Sequence, residues 1–481
     1  MRAGRAARLF SRVGLLLTAL VLVACQAARE PLPPPDLPLV PTPVEPFRLR
    51  PPAVPDTAPL ELPPIHRSQL DNGLTLLVTE RPDSEIVTLC YVSRDAGVDV
   101  SPMTAGHLRL ATELLTQDGP LEQLGVEVSH APDASLLCLT VLPDEVEAAF
   151  DALGRALVAP QILPTRVAAV RARWLELVDA NPDAQRLAHR WLLGDRSIAL
   201  SGPEVKASLE RFDLVAAQRQ IAASYHPRAS ALAVVGRVAV PEVMRLARAR
   251  LGAWAPGVAT QGVARLAEPP PPSPAPVRAI RAPRTQATLA MAFAAPSRSS
   301  PDRAAFSAVE QILGGMFSSR LNLALREGQG HSYGAYARYS PFRQDGVLTV
   351  VTHVAPTKVP EAVDRLLREV DAMATTLPSP LELQQSQRTA REALRAGLER
   401  TPTLAAALCE LFVDGEEPEI WLRWDAAIAA LSPAAVRDLA ARYLTRRSPL
   451  MVVAPPEAVA ALRRARPDTA VDSWPVTNRE R

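Results

Sequence analysis

The sequence predicts an α+β protein of two homologous halves, each a mainly antiparallel sheet covered by helices. Three observations carry that prediction. A strand–proline–helix unit occurs twice in register, each half opens and closes on an apolar strand, and a proline-rich stretch divides two blocks of domain size.

In the first copy of the repeated unit, a strand from Leu136 to Leu142 leads through Pro143 into a helix from Val146 to Leu157. In the second, Val347 to Val354 leads through Pro356 into a helix from Val359 to Val370. Valine, alanine, aspartate, leucine and arginine recur in register on a helical period with one apolar face, the mark of an internal duplication. The opening strands are Leu74 to Val78 and Ile86 to Val92 in the first half and Gln286 to Ala294 in the second. The closing strands are Ala231 to Val235 and Leu450 to Val453. A sheet with one apolar face buries it under helices, so each half reads as a sheet with a helical cover.

Before the first half, Arg2, Arg5 and Arg8 precede an apolar run from Val13 to Val23, which is of signal-peptide length and too short to span a bilayer. The run ends in Leu22-Val23-Ala24-Cys25, which resembles a bacterial lipobox. That resemblance implies a lipoprotein signal peptide over 1–24 and lipidation of Cys25. Gln26 stands where an aspartate would favour the inner membrane, so the expected location is the outer membrane, facing the periplasm. The alternative is a secreted protein in which Cys25 has no such role. Residues 25–64 read as a proline-rich tether, 65–255 as the first domain, 256–276 as a linker containing Pro269 to Pro272, 277–465 as the second domain, and 466–481 as a tail.

Basic and acidic residues nearly balance, 53 against 51, and the basic ones lie scattered without interleaved aromatics, which argues against nucleic acid as a partner. Cys90, Cys138 and Cys409 remain after Cys25, with neither a CxxC nor a Cys/His cluster, so a structural zinc site is not expected. Cys90 and Cys138 each fall in a predicted strand. They either pair in an oxidising compartment or sit buried as small apolar side chains, and burial is the expectation.

A series of short motifs, weak singly, is specific in its order and separations. The first half carries Leu70-Asp71-Asn72-Gly73-Leu74-Thr75, Asn181-Pro182, Leu200-Ser201-Gly202, and Tyr225-His226-Pro227 before Val234-Val235-Gly236. The second carries Ile312-Leu313-Gly314-Gly315-Met316-Phe317-Ser318-Ser319-Arg320-Leu321, then Leu325-Arg326-Glu327 and Tyr333. From about His66 to Leu462 the chain resembles the pitrilysin/insulinase, or inverzincin, peptidases. The resemblance implies that the two halves form a clam-shell.

Members of that family that cleave peptides carry HxxEH on a helix of the first half. Two histidines at i and i+4 bind zinc, the glutamate between them is the general base, and a distal glutamate completes the ligands. Here Ser101-Pro102 offers a cap and first turn. Counting back from Gly119 puts Leu110, Glu113 and Leu114 on the motif, so only the base-position Glu113 remains. Counting forward from Gly106 puts Arg109, Thr112 and Glu113 there instead, and neither register gives HxxEH. Glu176 matches the distal ligand but lies nearer to Glu113 than the family usually has it, in keeping with the short passage from Gly119 to Gly125. His107 does not share a helix face with Glu113, and His189, His226, His331 and His353 are scattered. No metal is expected in this chain.

In the second half Arg326 and Tyr333 keep a seven-residue spacing that the family uses to face the zinc and hold the substrate backbone. Guanidinium and phenol donors aimed at a carbonyl stabilise the charge that develops there. Loss of the metal half with retention of this pair implies a subunit without activity of its own. It would serve a periplasmic zinc metallopeptidase whose partner, a homologous chain with HxxEH, holds the zinc, while the peptide substrate adds as a strand to a sheet edge. The alternatives are a stand-alone peptide-binding or scaffolding lipoprotein, and a zinc peptidase with unorthodox ligands.

Overall fold

The apolar runs of the two blocks build two six-stranded sheets with the same plan. A computed structural model of the chain describes residues 59–97, 103–117, 119–178, 181–194, 200, 202–257, 273–327, 332–445 and 448–474. The leader, Cys25, most of the tether and linker, Ser101-Pro102, Gly328, Gly330 and His331 lie outside these residues, as does the side chain of Tyr333. Residues from Leu60 onward form one contact unit.

The first half runs β1 (His66–Gln69), β2 (Thr75–Glu80), β3 (Val87–Ser93), α1 (His107–Thr116), α2 (Pro120–Gln123), β4 (Glu127–Ala131) and β5 (Ala134–Val141). It continues through α3 (Val146–Leu157), α4 (Pro164–Leu177), α5 (Ala184–Leu193), α6 (Gly202–Leu209), α7 (Leu214–Ser224), β6 (Ser230–Gly236) and α8 (Val240–Leu251). The second half runs β7 (Val277–Arg281), β8 (Ala287–Ala295), α9 (Arg303–Glu310) with a π-helical turn Gln311–Gly315, and α10 (Arg320–Asn322) with a second, Leu323–Glu327. There follow β9 (Ser332–Pro341), β10 (Gly346–Val354), α11 (Val359–Thr375), α12 (Pro380–Glu399), α13 (Thr401–Asp414) and α14 (Glu419–Ala429). The half closes with α15 (Pro433–Tyr443), β11 (Leu450–Ala454), α16 (Pro456–Ala465) and β12 (Ala470–Asp472).

The sheet orders are β1-β2-β6-β3-β5-β4 and β12-β7-β11-β8-β10-β9. Five strands correspond one to one, and only the outermost, β1 or β12, comes from opposite ends of its half. The pairs β2–β6, β7–β11 and β7–β12 are parallel and the rest antiparallel. The strand–proline–helix units expected from the sequence are β5 into α3 and β10 into α11, each passing through a short 3-10 turn that begins at the proline. The central strands β6 and β11 are buried along their whole length, which is why they read as unbroken apolar runs.

Each sheet is covered on one face by its own half. Phe150 and Leu153 of α3, Val167 of α4 and Leu246 of α8 pack on Leu76, Leu89, Leu137 and Val234, while Phe306, Leu366 and Leu439 pack on Leu289, Phe293 and Leu348. The other face is covered by the opposite half. In α5, Leu187, Ala188 and Leu192 lie against Ala290, Ala292 and Val453, and in α13, Leu404, Leu408 and Cys409 lie against Cys90, Ala231 and Ala233. Each half thus lends one helix to the sheet of the other.

Two expectations need correction. Cys90 and Cys138 form a disulfide rather than two separate apolar side chains, because β3 and β5 pair in a register that sets them directly opposite, with Cα atoms 4.1 Å apart. The helix expected to start at Ser101-Pro102 starts at His107. Gly106 precedes it with a φ of 87°, and a Cβ there would lie 2.9 Å from Leu209 Cδ2, so only glycine fits this left-handed entry.

Candidate functional site

The first candidate region is α1, wedged between α4 and α7 against the first sheet. Leu110 is fully buried and Leu114 is 2% exposed, so both belong to the apolar core of the first half. Glu113 is also buried, and its carboxylate is held by two neighbours on α4. Trp174 Nε1 donates to Glu113 Oε2 at 2.7 Å, and the Arg173 guanidinium pairs with Oε1. A carboxylate held this way is a structural anchor between α1 and α4, tied by a hydrogen bond at Oε2 and an ion pair at Oε1.

The other register fares no differently. Thr112 is buried, donates to Leu108 O at 2.8 Å and meets the Tyr225 hydroxyl, whose pKa is pushed up to about 12 by burial. Arg109 is exposed over part of its side chain, and partial burial of its guanidinium, followed by the charge of Arg186, lowers its pKa. His130 of β4 is pushed down to about 4 by burial and by Arg109, and its Nδ1 lies 2.7 Å from Ser135 Oγ.

Glu176 is exposed on α4. It lies two residues beyond Trp174, about 200° around the helix, so it points away from the side on which Trp174 meets Glu113. His107 is buried, with Nε2 3.1 Å from Ser208 O and its ring edge-on to Phe212. His189, His226 and His353 contact Thr349, Asp95 and Thr288 respectively. Among the described residues no three His, Cys, Asp or Glu side chains gather where a metal ion would bind. The donor set at the motif, two buried leucines and one engaged carboxylate, does not fit zinc, which needs about three nitrogen, sulfur or oxygen ligands at a catalytic centre.

The second region is the turn and π-helical segments of the second half. Gly314 is pressed on β9, where a Cβ would stand 2.4 Å from Ala337 N. The chain then turns outward at Met316–Ser319, closed by Ser319 N donating to Met316 O at 3.1 Å. Asn322 pins the turn: its Nδ2 donates to Met316 O at 3.2 Å, and its Oδ1 accepts from Ala335 N at 2.9 Å on β9. Arg326, on the second π segment, is exposed, and its guanidinium carbon lies 4.6 Å from the centroid of the Phe317 ring. Tyr333 stands at the start of β9, the edge strand of its sheet.

Arg173, Trp174 and Phe317 had no functional place in the sequence reading. Trp174 carried one signal, a large aromatic with a donor flanked by charged residues; Phe317 carried another, an aromatic in a glycine- and serine-rich turn.

This second region lies inside a stretch, residues 217–390, that matches the family described as the peptidase M16 inactive domain. The M16 match takes in Arg326 and Tyr333 and leaves α1 outside. The pitrilysin/insulinase resemblance and the M16 match agree, and the two helix-covered sheets are an M16-like fold. A peptidase M16 inactive domain from Pseudomonas fluorescens superposes with a TM-score of 0.73 at 19% identity, covering 82% of this chain and 98% of that one. A protease from Helicobacter pylori gives 0.72 at 12% identity over 82% and 100%. A chain of complex III2 from Candida albicans gives 0.68 at 14% identity over 84% and 99%. No curated protein matches the sequence. The chain shares the fold of M16-like peptidase domains, and residues 217–390 match the inactive-domain family.

Proposed function

We infer that this chain is the substrate-binding, non-catalytic subunit of a heterodimeric zinc metallopeptidase, lipid-anchored through Cys25 at the outer membrane and facing the periplasm. The observation that carries the reading is the contrast between the two regions. The metal positions of α1 are filled by core leucines and an anchored carboxylate, whereas Arg326 stands exposed beside a sheet edge with its guanidinium by the Phe317 ring. Arg326 and Tyr333 would bind the backbone of an extended peptide and support the oxyanion in trans, and zinc and the general base would come from a homologous partner carrying HxxEH. The Candida albicans neighbour, a chain of a multi-subunit complex, lends the M16-like fold a precedent for assembly.

The test is affinity purification of the tagged lipoprotein from its native envelope, with mass spectrometry of what accompanies it. Recovery of an HxxEH-bearing relative near one to one, with peptidase activity that falls when Arg326 or Tyr333 is changed, is the expected result. Recovery of the chain alone and inert overturns it in favour of a stand-alone peptide-binding or scaffolding lipoprotein. Stoichiometric zinc in the purified chain would point to unorthodox ligands.

A further inference from the structure

We propose that Phe317 is a positioning residue for Arg326: its ring carries the guanidinium and presents it to a peptide acceptor, so that the two side chains act as one binding unit. The inference rests on the reading above that Arg326 binds peptide.

Phe317 is 66% exposed, so its ring buries little against the protein itself, and its visible role is to support Arg326. Among the described residues Arg326 has no ion pair, and no described carboxylate competes with the ring for its orientation. The geometry matters for binding because a guanidinium carries its five N–H donors in its own plane. Contact with an aromatic ring occupies the face and leaves the in-plane donors free for carbonyl or carboxylate oxygens, which an acidic partner would not do. Both members are mounted on anchored backbone. The turn that carries Phe317 is tied through Asn322 to β9, and Leu325, next to Arg326, is fully buried in the second core. The pair is therefore ordered before a ligand arrives, and less side-chain freedom is lost on binding.

The experiment uses the complex purified from the native envelope and a quenched fluorescent peptide as substrate. Removing the ring but keeping its bulk, Phe317→Leu, is expected to raise KM about two- to fivefold, the size of an exposed cation–π contact. Phe317→Trp restores the wild-type value, because tryptophan offers the better face. The double variant Phe317→Leu with Arg326→Ala is no worse than Arg326→Ala alone, since the ring acts only through the guanidinium. A purely structural role for Phe317 would show neither the tryptophan rescue nor this lack of additivity. If Arg326→Ala impairs turnover while Phe317→Leu does not, or if the two effects add, the positioning role is overturned and the subunit reading stands. If Arg326→Ala changes nothing, or no activity accompanies the wild-type chain, the reading beneath it fails as well.

Discussion

Restoring the lost histidines one at a time should damage the fold rather than revive a metal centre. In Leu110→His a fully buried leucine, worth roughly 1.5–3 kcal/mol of burial, gives way to an imidazole whose nitrogens enter the apolar core of the first half. The ring regains part of the apolar contact, but each unpaired polar group left in such a place costs about 1–3 kcal/mol. The balance is a loss of roughly 2–4 kcal/mol, a large share of the 5–15 kcal/mol on the order of which a domain is stable. In urea, with a slope of about 1–3 kcal/mol per molar, the midpoint should fall by roughly 1 M or more with the slope unchanged. The double variant Leu110→His with Leu114→His should take up no stoichiometric zinc, because Glu113 stays tied to Trp174 and Arg173 and Glu176 points elsewhere. A single variant as stable as wild type, or a double variant that purifies with one zinc per chain, would refute the reasoning.

Trp174→Phe keeps the ring but removes the N–H that Glu113 accepts, and should cost roughly 1.5–3 kcal/mol in urea unfolding, the range for a hydrogen bond to a charged group. Asp414 is nearly buried beside Arg298, and burial pushes its pKa up to about 6. Because the folded value lies above the unfolded one near 3.8, the folded state holds the proton more tightly. Its contribution is then complete below the unfolded pKa and fades as pH rises through 6, a loss of about 1 kcal/mol between pH 5 and 7 that Asp414→Asn should abolish in pH-dependent melting. The Cys90–Cys138 bridge spans 48 residues of sequence, so replacing both cysteines with alanine should cost about 4 kcal/mol by loop-closure entropy, read as a lowered urea midpoint that reductant no longer changes.

Periodicity made much of this architecture legible. The helix expected over Val146 to Leu157 has those bounds, and the strands expected around Ala231 and Leu450 lie within a residue of their observed ends, because burial on both faces leaves an unbroken apolar run. What an apolar face packs against is not written locally. Leu187 and Leu192 announce that α5 is buried, yet nothing nearby says that the burying surface is the sheet of the other half. The cysteine pair had the same difficulty, since its bridge depends on the register of β3 against β5, which two isolated strands do not reveal. At the site, the absence of histidines was plain at Leu110 and Leu114. The tether between Glu113 and Trp174 was not, because it joins residues 61 positions apart through the angle at which α4 crosses α1.

The exchange of α5 and α13 makes each half the missing wall of the other. Cut at the proline-rich linker, the first fragment would show Ala231, Ala233 and Val235 to water, and the second would show Ala290, Ala292 and Val453. Neither is a free-standing domain that recombination can shuffle or a protease can release, and a nicked chain should stay together. The burial that makes this chain one body also sets what it can lose: substitutions at α1 can erase a metal centre without loosening the whole, but the half that carries α1 cannot be discarded, because among the described residues it is α5 of that half that covers the second face of the other sheet.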